Sequence, residues 1–556
     1  MANFRAPGVS IKEVDISEVV APAGTSVGAL VGPAYKGPTN QKVLVTSNQD
    51  FINTFGTPTS GSSSEFHYYA ALEFLKESGF MYYVRSTTSV DKVGYTAIDT
   101  TSSSAFVASS VTETATEYTS ANKPTDYEPI EDLTKTLVVG ALGGSEENSN
   151  IAVTVYTAAD ATTTSADNNG YNIAGKYPDT YPVYKLNVFT KATNGSFPTS
   201  AAIHNASPTE SYVVSNNQLA KDFDGNSIYL KDVINGRSKL IYTNTDNSNI
   251  DSGFAGGLIS ILDAGVSDVS SSANAISSII EGWKFFESRE ESQPNILIGG
   301  YDPALTSVIT AVADTATARQ DCLAVVGIGI KTDTPSQIVP KKIGSLSNSY
   351  TAIYTGWDLI FDSYSAKNIY VPKSVFASAI IARTDAVANT WDAPAGLARG
   401  AMNSLDQYKI FSEQDIGFLY NYGINTSKRI RGAGDFMWGQ KTGLPKTTAL
   451  DRINVRRLLL YIENTVEPAL QAYLFEPNND KTRTRVKANI DGFLQTIFAG
   501  GGLTKYETVV DDSNNTPQVI DNNELAVDIF IQPTKTIEFI NVKVIITRTG
   551  VSFDEV

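Results

Sequence analysis

The strongest constraint in this sequence is an interrupted alternation. Val27-Gly28-Ala29-Leu30-Val31 is an apolar run stopped by Gly32-Pro33; Phe66, Tyr69, Leu72 and Leu75 then recur at helix spacing, and Met81-Tyr82-Tyr83-Val84 follows Gly79. This strand–helix–strand pattern stops near residue 86 and resumes near 280. Asn295 to Ile298 reads as a strand. Asp302-Pro303 reads as an N-cap and first helical residue, and Leu305, Val308, Ile309, Val312 and Ala316 continue that helix. Leu323 to Ile328 is the next strand, Trp357 to Phe361 a further one, and a helix begins after Pro372. Alternating strands and helices imply a largely parallel sheet covered by helices. The two stretches, 23–90 and 251–440, are therefore read as one discontinuous α/β core.

The intervening stretch, 91–250, is rich in Thr, Ser, Asn, Ala and Asp and lacks helix periodicity. Short apolar bursts remain at Thr136 to Val139, Ile151 to Tyr156 and Val183 to Phe189, the signature of an inserted β-rich domain. Residues 86–250 hold 10 basic and 18 acidic side chains, which points this region at solvent. After about 440 the pattern becomes α+β. Asp451 precedes a helix carrying Ile453, Leu459, Leu460 and Ile462, which Pro468 is expected to interrupt or restart. A second helix spans roughly Val486 to Phe498 and ends at Gly500-Gly501-Gly502. Leu525, Val527, Ile529 and Ile531, and then Ile540, Val542, Val544 and Ile546, alternate as strands do. The fold class is thus multidomain α/β and α+β: a central α/β core, an inserted β-rich domain, and a C-terminal α+β domain over 441–544.

Both ends carry strand pattern beyond these cores. Val9-Ser10-Ile11-Lys12 alternates within an N-terminal arm, 1–22, and the last strand pattern runs on into a C-terminal arm, 545–556. An isolated strand is unstable, so each end either folds back on its own domain or pairs with another chain.

The 556 residues carry a net charge of −16, a poor balance for a general nucleic-acid or anionic-membrane binder. Cys322 stands alone, and only His67 and His204 are present, which excludes an internal disulfide framework and multi-histidine metal centres. The apolar run Cys322 to Ile330 is far short of the ~20 residues of a membrane-spanning helix. The N-terminus lacks the apolar core of a signal peptide, so a soluble product is expected.

Two enzyme motifs fail on context. Gly24-Thr25-Ser26-Val27-Gly28 matches the nucleophile-elbow spacing, but the strand follows the serine instead of preceding it, and the bland reading is a glycine-flanked strand start. Gly434 to Thr442 nearly matches a phosphate-binding loop, but Gln440 adds a residue before Lys441, and Phe436, Met437 and Trp438 would crowd it. More informative is a basic stretch. Residues 441–490 hold nine Lys+Arg against five Asp+Glu in an acidic chain. Arg452 and Arg456 lie four apart, Arg457 follows, and Lys481, Arg483, Arg485 and Lys487 come at alternate positions. They form either a solvated face with internal ion pairs, for instance to Glu463 or Glu467, or a docking surface for an acidic partner.

The C-terminal residues carry a resemblance. Asp451-Arg452-Ile453-Asn454-Val455-Arg456-Arg457, Phe475-Glu476-Pro477-Asn478-Asn479-Asp480, Thr482-Arg483-Thr484-Arg485, Gly501-Gly502-Leu503, Tyr506 to Asp511, Asn522-Asn523-Glu524-Leu525 and Ile537 to Phe553 resemble the contractile phage tail sheath proteins. Pro7-Gly8-Val9-Ser10-Ile11-Lys12-Glu13 resembles that family's N-terminal arm, and Leu30 to Pro38 with Phe51 to Gly56 its first core block. The resemblance covers roughly 1–90 and 250–556. It implies a structural subunit, not an enzyme, without cofactor or metal. Such subunits form six-membered rings stacked round an inner tail tube, and they contract on a baseplate trigger to drive the tube through the host envelope. Implied partners are further copies of this chain, the tube protein, and baseplate and tail terminator proteins, with no nucleic acid and no direct membrane insertion. The implied location is the virion tail, assembled in the bacterial host cytoplasm. Arm strands around Val9, Ile11 and Glu13, and around Ile545, Thr547 and Thr549, would add to a neighbour's sheet containing Val509, Val527, Ile529 and Ile531. Arg452, Arg456, Arg457, Lys481, Arg483, Arg485 and Lys487 would face the tube, and the acidic insert would lie outside. A sheath subunit of a bacterial contractile injection system fits the same residues; an α/β enzyme or a surface-layer subunit fits them less well.

Overall fold

The computed structural model describes residues 26–59, 61–87, 95–99, 136–141, 150–157, 183–191, 207–243, 259–261 and 273–542. The arm residues Val9, Ile11, Glu13, Ile545, Thr547 and Thr549 lie outside them. The described residues divide into two compact units: those within 26–387 together with 394–453, and 388–393 together with 454–542.

The first unit is built on a six-stranded sheet of β1 (Val27–Gly32), β2 (Lys42–Val45), β3 (Phe80–Arg85), β11 (Ile296–Gly299), β12 (Leu323–Ile328) and β13 (Thr351–Thr355), in the order β13-β12-β11-β1-β3-β2. All neighbours are parallel except β2, which pairs antiparallel with β3 at one edge. β11 and β12 are buried along their whole length, which is why they read as unbroken apolar runs without alternation. Helices cover both faces. α1 (Asn48–Phe55) and α2 (Phe66–Glu77) follow β2, and α2 packs with α7 (Ser374–Val387). α4 (Ala273–Trp283) packs with α5 (Thr306–Arg319). Gly28 of β1 faces Phe74 of α2 so closely that a Cβ there would lie 2.5 Å from the ring; Val31, on the opposite face of the strand, meets Gly282 of α4.

The chain between β3 and α4 contributes β4 (Tyr95–Asp99), β5 (Thr136–Ala141), β6 (Ile151–Thr157), β7 (Tyr184–Thr190), β8 (Glu210–Val214), α3 (Leu230–Arg237), β9 (Ile241–Thr243) and β10 (Ile259–Ile261). They form antiparallel sheets β10-β6-β7-β8 and β4-β5-β9, as the three apolar bursts suggested. Val153, Leu186, Val188 and Ile234 lie in a core of their own.

Three local expectations are corrected. Trp357 to Phe361 does not extend the parallel sheet. Gly356, at φ 106°, turns the chain out of β13, and β14 (Trp357–Asp362) pairs antiparallel with β15 (Lys367–Pro372) and with β16 (Asp406–Gln407). Asp302 does not cap α5. Its side chain accepts from the Ala304 N–H at 2.9 Å in a turn, and the helix starts only at Thr306. Pro468 does not end its helix: α10 (Ile453–Gln471) runs through it, because a proline this near the C-terminus costs one hydrogen bond with little helix left to disrupt. The remaining elements of the first unit are α6 (Pro335–Ile338), α8 (Gly396–Arg399), α9 (Glu413–Asn421), β17 (Ser427–Ile430) and β18 (Gly434–Met437).

In the second unit α10 is followed by α11 (Asp480–Ala499), β19 (Leu503–Val509), α12 (Pro517–Asp521) and β20 (Asp528–Pro533). Leu458 and Ile462 of α10 pack with Val486, Ile490, Leu494 and Ile497 of α11. Asn479 caps α11, its side chain accepting from the Thr482 N–H at 3.0 Å.

His67 connects this fold to pH. It is buried in α2, where Nε2 donates to the Pro33 carbonyl at 2.7 Å, and burial pushes the imidazole down to about 4. The unfolded chain protonates His67 near pH 6.5 but the folded chain does not, so its contribution to stability is complete above 6.5 and lost as pH falls toward 4. Urea unfolding should lose about 2 kcal/mol between neutral pH and pH 5 through this group. His67→Gln should flatten that dependence, while an equal slope in both proteins would refute the assignment.

Candidate functional site

β19 and β20 pair antiparallel from Leu503 to Pro533, with one register shift between Leu503 and Lys505. Ile529 and Ile531 turn to the helical core, whereas Phe530 is 61% exposed between them. This is the alternation the sequence shows. Val527 sits on the same core just before β20, and Val509 opposes Asp528 at the end of the ladder. The four residues expected to mark one sheet are therefore brought together. Among the described residues this sheet has two strands, so neither has a further strand on its outer edge, although side chains already reach two carbonyls of β19, Thr508 from Lys487 and Val509 from Asn514.

Sequence reasoning missed the clasp that sets the start of β20. Asn515, almost fully buried, donates to the Ala526 carbonyl at 2.9 Å and accepts from the Ala526 N–H at 2.8 Å. Asn514 donates to the Val509 carbonyl at 2.8 Å and to Asp528 at 3.0 Å. The Asn-Asn pair after Asp511-Asp512-Ser513 was the available signal, since such residues bond to nearby backbone in turns.

The seven basic candidates do not form one surface. Arg456, Arg457 and Arg483 are 3%, 4% and 7% exposed, so they cannot offer their guanidinium groups to a partner. Arg456 Nη2 lies 3.9 Å from Glu463, which matches the ion-pair alternative. Arg483 pairs with Asp480 and, at 3.1 Å, with Asp512, joining the start of α11 to the loop after β19. Lys487 is exposed, yet its Nζ donates to the Thr508 carbonyl of β19 at 2.7 Å. Arg452 belongs to the first unit, where it pairs with Asp451 at 2.7 Å and lies over the Tyr420 ring. Lys481 and Arg485 are both exposed, four residues apart on α11.

The enzyme motifs dissolve in the geometry. Ser26 Oγ donates to Asp385 at 2.9 Å, while His67 is occupied by Pro33, so the two do not pair. Gly434 to Met437 is a strand of the β17–β18 hairpin, and the Lys441 ammonium sits over the Tyr420 ring. Among the described residues there is no cluster of three metal-ligating side chains, and no helix is long and apolar enough to cross a membrane.

The burial pattern separates two outcomes for charge reversal. Arg456→Glu and Arg457→Glu should each lose about 3 kcal/mol or more, by placing a carboxylate at a buried position now held by a cation. Lys481→Glu and Arg485→Glu should stay within about 0.5 kcal/mol of the parent. Urea unfolding of the four variants checks this; equal losses would refute the assignment of faces.

Residues 445–547 match the family model of the phage tail sheath C-terminal domain, a span that contains α10, α11, β19 and β20. The chain is 28% identical to the tail sheath protein of Enterobacteria phage T4, over 99% of this chain and 98% of that one. Its fold is similar to that of the sheath tail protein from Listeria innocua, at a TM-score of 0.53 and 11% identity, covering 93% of this chain and 97% of the other. It is also similar to the PVC sheath complex of an extracellular contractile injection system in the contracted state, at a TM-score of 0.51 and 15% identity over the full length of both. The segment that contains the β19–β20 sheet thus matches the sheath C-terminal domain, and the chain is similar to a phage tail sheath protein along nearly its whole length.

Proposed function

We propose that this protein is the structural subunit of a contractile tail sheath, polymerising as stacked six-membered rings around an inner tail tube and contracting to drive that tube through the host envelope. The observation that carries the reading is the β19–β20 sheet, two-stranded among the described residues, inside the segment that matches the sheath domain. A strand from a neighbouring copy would add main-chain hydrogen bonds there, and such bonds depend little on side-chain identity. One surface of each subunit then receives a different surface of the next, a heterologous contact that generates rings and helical stacks. The arms 1–22 and 545–556 are the donors in this reading: Val9, Ile11 and Glu13 at one end, and Ile545, Thr547 and Thr549 at the other. The central α/β core, the inserted β-rich domain 91–250 as an outward face, and the C-terminal α+β domain facing the tube complete the arrangement.

The work of contraction comes from exchanging one set of subunit contacts for another, so the reading requires no catalysis, cofactor or nucleotide. Lys481 and Arg485 are the contacts proposed for an acidic tube surface; baseplate and terminator proteins would bind the ends of the stack. The particle is a virion tail, put together in the host cytoplasm. The fold likeness to an injection-system sheath supports a second reading, in which the same subunit serves a bacterial contractile injection system. Capsid and terminase genes beside this one would decide for the phage.

Negative-stain microscopy of the purified chain should show hollow cylinders with six-fold end views. Chains lacking 1–22 or 545–556 should stay folded by circular dichroism yet fail to assemble, and cylinders from either truncation would remove the arms from the mechanism. In co-sedimentation with the tube protein, the double variant Lys481→Glu/Arg485→Glu should bind at least tenfold more weakly at low salt. Unchanged binding would exclude α11 as the tube contact.

A further inference from the structure

The first unit encloses an ion pair that none of the above uses. Lys373 and Asp358 are both fully buried, with Nζ 3.1 Å from Oδ1. Lys373 immediately follows β15, and Asp358 lies on the adjacent β14, opposite Val371. The lysine is held from two further sides. Its Nζ donates to Ser427 Oγ on β17, and its stem fills the space beside Gly356, where a Cβ would lie 2.5 Å from Lys373 Cε. Neither Asp358 oxygen accepts a hydrogen bond from another described residue, and the lysine nitrogen lies against Oδ1 of that carboxyl.

We propose that Lys373 and Asp358 condense to an intramolecular amide, a self-made cross-link at the root of the β14–β15 hairpin. The Lys373 amine attacks Cγ of the protonated Asp358 carboxyl, forming an N–C bond as the carbonyl electron pair moves to oxygen. The tetrahedral carbon then expels hydroxide, which leaves as water with a proton from the nitrogen; Ser427 Oγ is the acceptor already in contact with such a proton. One amine and one acid become one amide and one water, with no oxidant or activated donor. A pair fixed at contact distance in a dry site reacts with a high effective concentration. Burial also favours the reactive forms: it lowers Lys373 toward the free amine and raises Asp358 toward the neutral acid, against their mutual attraction. The nearby Asp435 and Arg429 charges act on both groups in opposite senses.

The bond would have a mechanical consequence. The chain enters the hairpin at Trp357 and leaves it at Ser374 into α7. An amide between 358 and 373 would carry tension past residues 359–372, so pulling on the domain could not unzip the hairpin. This inference stands apart from the sheath reading, since it concerns one folded chain.

Mass spectrometry of the full-length folded protein tests it. An amide removes about 18 Da, one water, and a tryptic digest should yield a branched peptide joining Asp358 to Lys373, with no cleavage after Lys373. Lys373→Arg and Asp358→Ala should each abolish the branched peptide. Linear peptides cleaved at Lys373 from the parent protein would overturn the proposal and leave an ordinary buried ion pair. An 18 Da loss that persists in Lys373→Arg would overturn it equally. Because the decisive measurement uses the unaltered chain, a variant that fails to fold does not obscure it.

Discussion

A backbone hydrogen-bonding group without a partner is the constraint from which the rest of this molecule follows. Two strands alone are marginal in water, and β19–β20 persists because Ile529 and Ile531 bury against α10 and α11. That packing stabilises one face and does nothing for the outer edges. Natural proteins usually blunt such edges with charge, proline or a covering element. Here Pro533 closes one strand end and Lys487 occupies the Thr508 carbonyl of β19, but no third strand pairs with the ladder from Tyr506 to Val509 against Asp528 to Ile531 among the described residues. Under the proposed sheath function, such an edge is explained as a receptor for a strand from another copy.

The parts of the fold visible in the sequence are those whose signal is local. β1, α2, β3, β11, β12 and the start of α7 are where the sequence pattern puts them, because helix spacing or a short apolar run is combined there with Gly or Pro boundaries. Strand direction is not local. Nothing in Trp357 to Phe361 distinguishes a sixth parallel strand from an antiparallel hairpin; that choice rests on Gly356 and on which partner the chain meets next. The start of α5 was misread for a related reason. Asp302-Pro303 suits a turn as well as a cap, and the backbone took the turn.

Charge was the less legible half of the candidate site. Lys481, Arg483, Arg485 and Lys487 look like one stripe when counted by twos, but a helix turns about 100° per residue, so alternate positions scatter around it. Arg483 stands three and seven residues before Val486 and Ile490, on the apolar face, and it is buried there. Helical phase was therefore available as a sign that this arginine points inward. The burial of Arg456 and Arg457 was harder to foresee. An arginine has a long apolar stem and a fork of donors, so it can enter a core where carboxylates and carbonyls meet it. A net positive count over fifty residues cannot show which cations are already spoken for.

These features bear on how a protein can move without unfolding. A contracting lattice must change the angles between subunits while each subunit keeps its own packing. Side-chain interfaces are specific to one geometry, because close-packed surfaces tolerate little displacement. Main-chain ladders are more permissive: a strand bound at a sheet edge keeps its hydrogen bonds when the bodies it joins rotate, provided the rotation occurs in the connecting chain. The division of labour then follows from physics. In the proposed sheath, stiffness would belong to the parallel sheet, its two helical layers and any covalent tie within them, and connectivity to strands added at the sheet edge. Charge contacts such as those available to Lys481 and Arg485 suit a surface that must hold and then slide, since an exposed ion pair contributes little individually and is readily exchanged for water.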